Sequence, residues 1–95
     1  MDRMEALGLA IREERQRLNI SQEKLAATAK LHRNVIGLVE RNATAPTLNS
    51  LFALADALNV PASQLVARAE EIADQVGASG LNGGGSEINP TDFHL

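Results

Sequence analysis

With 95 residues, 9 Lys+Arg against 12 Asp+Glu and a formal net charge of −3, the chain has room for one small domain on a single, simply connected core. It has no cysteine, and His32 and His94 lie too far apart to form a local ligand pair, which excludes disulfide staples and leaves no metal or cofactor expected. No apolar run approaches the ~20 residues of a membrane span and no signal-like stretch opens the chain, so the expected setting is the cytoplasm.

Fifteen Ala and 13 Leu against two aromatics, Phe52 and Phe93, suit helices rather than strands, and the predicted fold class is all-α. Met4, Leu7, Ile11 and Leu18 recur at helical spacing and predict a first helix stopping near Asn19. Ser21 is a good N-cap for a short second helix to about Ala29, with Leu25, Ala26 and Ala29 inward. The third begins near His32, a weak cap, and turns Val35, Ile36 and Val39 inward; Arg33, Asn34, Gly37, Leu38 and Arg41 fall on its other faces. Residues 42–46 read as a loop. Thr47 caps a fourth helix with the stripe Leu48, Leu51, Leu54, Ala55 and Leu58, ending at Asn59. Pro61 opens a fifth, in which Leu65, Val66, Ala69, Ile72, Ala73 and Val76 keep helical spacing through 76. That is longer than closing a small bundle requires, so Val66, Ile72, Ala73 and Val76 are expected at an interface between two copies. From Gly77 the composition turns glycine-rich and loses Lys and Arg. The expected organisation is a domain over 1–76 and a C-terminal tail over 77–95, whose Ile88, Phe93 and Leu95 leave docking open beside a free end.

The net negative charge argues against a generic nucleic-acid binder, but its distribution does not. Between 15 and 42, Arg15, Arg17, Lys24, Lys30, Arg33 and Arg41 face only Glu23 and Glu40. The stretch holding the second and third helices is therefore locally basic. Taken alone, Arg33 and Arg41 read by default as solvated charges on a helix face, and Asn34 serves equally well as support of a helix N-terminus.

The stretch from Leu7 to Leu65, about two thirds of the chain, resembles the helix-turn-helix family of phage repressors and Cro proteins, the XRE-like family. The landmarks are Ile11-Arg12 with Arg15, Ser21-Gln22-Glu23-Lys24-Leu25-Ala26, Val39-Glu40-Arg41, Pro46-Thr47-Leu48 with Leu51, and Ala55-Asp56-Ala57-Leu58-Asn59-Val60. The resemblance implies a compact five-helix, lambda-repressor-like DNA-binding domain with its helix-turn-helix over 21–41. It implies a sequence-specific transcriptional regulator, a homodimeric repressor reading half-sites of double-stranded DNA with helix 32–41 in the major groove. Arg33 and Asn34 occupy the family's base-reading turn, where Arg suits guanine and Asn suits adenine; Gly37 allows close approach and Leu38 suits a thymine methyl. Gln22, Arg41 and Thr47 are the implied phosphate contacts. Arg15 and Glu40 match a structural ion pair. Glycine is common in the family at the positions of Asn19, Lys30, Asn42 and Asn59; asparagine tolerates a left-handed backbone, whereas Lys30 either adopts one at a cost of about 1 kcal/mol or the turn differs.

Two other readings keep the fold. One is an antitoxin or anti-regulator that holds a partner protein through helix five or the tail; the other is an interaction module without DNA binding, favoured by the acidic balance. No nucleophile with its base, carboxylate pair or phosphate-cradling glycine loop is evident, so no enzyme is expected.

Overall fold

The computed structural model describes residues 1–80, with side chains through Gln75. Five helices follow in order: α1 Arg3–Arg17, α2 Gln22–Ala29, α3 Arg33–Glu40, α4 Leu48–Leu58 and α5 Ala62–Gly80. No strand occurs among the described residues. Each of the first four starts where a side chain satisfies an otherwise unpaired backbone N–H. Asp2 accepts from Met4 N, Ser21 from Lys24 N, His32 from Asn34 N and Thr47 from Ser50 N.

The same device ends all four. Asn19, Lys30, Asn42 and Asn59 have φ of 57°, 60°, 58° and 60°. The next residue's N–H then reaches back five positions: Ile20 to Arg15 O, Leu31 to Ala26 O, Ala43 to Leu38 O and Val60 to Ala55 O. That is the Schellman pattern, in which a left-handed residue turns the chain off the helix and the following apolar residue packs back. Ile20, Leu31 and Val60 do pack against the core. Lys30 thus adopts the left-handed backbone, and the short turn into α3 is kept.

α1 lies along α5 and crosses α3, while α2 packs on α3 and α4. Ile11, Leu25, Ile36, Leu54, Leu58 and Leu65 are fully buried between them, each contributing about 1.5 to 3 kcal/mol. At the α1–α3 crossing, a Cβ on Gly8 would collide with the Val39 carbonyl oxygen and crowd Glu40. Only glycine allows that approach.

The apolar stripes overshoot the core at their ends. Met4 of α1, Leu18 just past its end and Leu48 of α4, all expected inward, are exposed; Met4 and Leu48 border an open groove that α5 flanks without filling. α5 also outruns its expected end at 76, carrying Gly77 and Gly80 within the helix; a single glycine weakens a helix by about 1 kcal/mol without ending it. The expected boundary at 77 falls inside α5. The remaining tail with Ile88, Phe93, His94 and Leu95, and the Val76 side chain, lie outside the described residues. No single helix among the described residues is long and apolar enough to cross a membrane.

Candidate nucleic-acid interface

α3 turns Ile36 and Val39 into the core, which fixes the opposite flank outward. His32 Nδ1 accepts from Asn34 N at 3.1 Å, so the ring caps the helix and the Asn34 side chain is spared that task. Arg33 and Asn34 are exposed in the first turn, Leu38 is half-buried one turn later, and Arg41 is exposed at the C-cap. Gly37 is buried beneath two polar side chains: a Cβ there would stand 2.9 Å from Arg41 Nη1 and 3.4 Å from Gln22 Oε1. Together Gln22, Arg33, Asn34, Gly37, Leu38 and Arg41 line an open recess of about 320 Å³. Two cationic, two amide and one apolar side chain thereby converge on a floor that has no side chain of its own.

Below the recess lies the polar centre of the domain. Arg15 donates from Nε to Glu40 Oε2 at 2.7 Å, from Nη2 to Glu40 Oε1 at 3.0 Å and from Nη1 to Ile20 O at 3.0 Å. Gln22 Nε2 donates to Glu40 Oε1 at 3.0 Å. The Glu40 side chain is only 3% exposed, and its hydrogen bonds hold the Arg15 guanidinium above its ordinary range, against the opposing effect of burial. This tripod ties α1, α2 and α3 at one point. No buried side-chain nitrogen or oxygen among the described residues is left without a partner.

Thr47 is not brought to this recess. Its Oγ1 accepts from Ser50 N and donates to Ser50 Oγ, each at 3.0 Å. It borders instead an apolar groove of about 340 Å³ that includes Met4, Pro46, Leu48, Leu51 and Val66. Among the described residues, no group of three or more His, Cys, Asp or Glu is placed to hold a metal ion.

The model of the helix-turn-helix family matches residues 11–65, which spans the recess and the tripod. The chain belongs to the helix-turn-helix family. It is a DNA-binding transcriptional regulator of the Cro/C1, or XRE, type. Over 68 residues, covering 72% of this chain and 81% of the relative, it is 44% identical to control protein C.SmaI of Serratia marcescens. Among solved structures it is similar to the restriction-modification controller protein C.AhdI from Aeromonas hydrophila, at 34% identity and a TM-score of 0.64 over 65% of this chain and 94% of that one. The clp gene regulator ClgR from Corynebacterium glutamicum, at 22% identity and a TM-score of 0.76 over 86% and 88% of the two chains, shares the fold.

The apolar surface of this helix-turn-helix protein departs from its sequence pattern. Of the residues expected between two copies, Val66 is exposed, Ile72 is half-buried against the core, and Ala73 is buried within the chain's own core. Ala73 is therefore a packing residue beneath α1. Leu48, 65% exposed, and Phe52, 52% exposed, stand one turn apart on α4, and neither is among the expected interface residues. Periodicity assigned Leu48 to the buried stripe, and no signal marked Phe52 except that it falls off that stripe.

Proposed function

We propose that the protein is a sequence-specific repressor that binds operator DNA as a homodimer in the cytoplasm and controls restriction-modification genes, with α3 read into the major groove of each half-site. The observation that carries this reading is the recess: an outward helix flank with Arg33, Asn34 and Leu38 around Gly37, whose only cover is the Arg41 and Gln22 side chains. The major groove, about 12 Å wide, accepts one helix, and Arg and Asn offer the two-pronged contacts that identify guanine and adenine there. Arg41, at the rim, takes a phosphate. The hydroxyl hydrogen of Thr47 is given to Ser50, so the phosphate contact near Thr47 falls to free backbone N–H groups at the start of α4. The relationship to C.SmaI and C.AhdI supports the choice of restriction-modification genes. Repression by occupancy needs only this surface.

One helix reads too few base pairs to find a site among many, which favours pairing about a two-fold axis. The exposed Leu48, Phe52 and Val66 with Met4 form the face that supports such pairing; Val66 belongs to the expected interface, and Ala73, buried in the core, does not. Selection of bound duplexes from a random pool tests the whole reading. The expected product is an inverted repeat with half-sites about one helical turn, roughly 34 Å, apart, and a reporter driven through that site should be silenced. A pool that yields no enriched sequence rejects it.

A further inference from the structure

The geometry points to Gln22 as a base-reading residue, one that selects an exocyclic amine in the major groove through its carbonyl oxygen while Glu40 positions it. This rests on α3 being the DNA-reading helix. Both Glu40 oxygens already accept N–H groups of Arg15, so the Gln22 atom 3.0 Å from Glu40 Oε1 is its amide nitrogen. The orientation of the amide is therefore decided by its inner partner. The nitrogen points into the domain and the oxygen points out, 3.4 Å from where a Cβ of Gly37 would stand. Gln22 is half-buried at the first position of α2, which limits any rearrangement of the side chain.

A phosphate contact through the side chain, which the family pattern implies for this position, would have to use the second amide hydrogen, the one not given to Glu40. Gln22 instead turns an acceptor toward the recess it shares with Arg33, Asn34 and Leu38. In the major groove the acceptor's complements are the amines at adenine N6 and cytosine N4; guanine and thymine offer oxygens at the corresponding edge and are repelled. Gly37 contributes no side chain to the floor, so the flexible guanidinium of Arg41, 2.9 Å from where a Gly37 Cβ would stand, is what an entering base edge must displace to reach the Gln22 oxygen. Glu40 acts through Gln22 and is a positioning residue.

The test measures binding of the full chain to a panel of duplexes carrying each base pair at every position of the selected half-site, for wild type, Gln22→Met and Gln22→Ala. Thermal melts identify which variant folds as wild type does. The expected result is loss of preference at one position, by roughly fivefold or more in the ratio of affinities, at a base pair distinct from the one relaxed by Arg33→Ala. The slope of log affinity against log salt should be unchanged, since no phosphate contact is lost. An even weakening on all duplexes with a shallower salt slope would make Gln22 a phosphate contact and overturn the inference. So would an unaltered preference at every position. A wild-type protein with no preference among duplexes would instead reject α3 as the reading helix, so the two failures are distinguishable.

Discussion

At the scale of single residues, Gly37 is the position at which stability and recognition pull in opposite directions. An alanine there gains about 0.5 to 1 kcal/mol of helix stability, and its Cβ would displace only the flexible end of Arg41 while standing at ordinary contact distance from the Gln22 oxygen. Gly37→Ala should therefore melt at a higher temperature yet bind its selected duplex more weakly, because the added methyl fills the recess floor. A mobility-shift titration beside a melt checks both halves; unchanged affinity would place the DNA elsewhere. Lys30 offers the complementary case. Its left-handed backbone costs a non-glycine residue about 1 kcal/mol, so Lys30→Gly should raise stability by about that amount, and Asn59→Gly by less. Equal gains would show that asparagine holds no advantage at these exits.

At the scale of elements, the closest approach of α1 to α3 rests on Gly8. Gly8→Ala should cost about 2 kcal/mol through overpacking and lower DNA affinity with it, since α3 must move away from α1; a chemical-denaturation curve gives the first number. On the opposite side, Arg68 of α5 clasps Glu13 of α1 at 2.8 and 2.9 Å, and this hydrogen bonding holds the Glu13 carboxyl below its usual range. A depressed folded-state pKa adds stability that is present above the ordinary carboxylate value and fades as pH drops through the lowered one. Acid titration of Glu13→Gln should accordingly lose less stability than wild type below about pH 4.5; parallel curves would show that the clasp contributes nothing. The helices themselves were legible because Ser21, Thr47 and the 3.6-residue spacing are local signals. How far each stripe stays covered was not, since the exposure of Met4 and Leu48 and the burial of Ala73 depend on how helices distant in sequence pack. The bonds joining Glu40 to Arg15 and Gln22 span 25 and 18 positions, a separation on which periodicity is silent, so the direction of the Gln22 amide emerged only in three dimensions.

At the scale of the whole molecule, the basic recess and the apolar face of Met4, Leu48, Phe52 and Val66 occupy separate surfaces, so pairing and reading can be broken independently. Phe52→Glu should abolish the proposed pairing in sedimentation and lower the melt only by what pairing contributes, because in the single chain half of that ring faces water. Affinity for the double site should then drop by about a hundredfold as the gain from two linked contacts vanishes, with the single half-site bound as before; a sedimentation coefficient that does not move would refute this face. The glycines bear on the molecule as a whole in another way. Gly8 and Gly37, the only two before residue 77, sit inside helices, while all four backward-bending exits carry asparagine or lysine. The residue usually spent on corners has been spent on proximity. Thermal hardening of this scaffold is thus open at its corners, at 19, 30, 42 and 59, and closed along α1 at Gly8, where it would break a contact between helices; at Gly37 it would come at the expense of the proposed berth for a base.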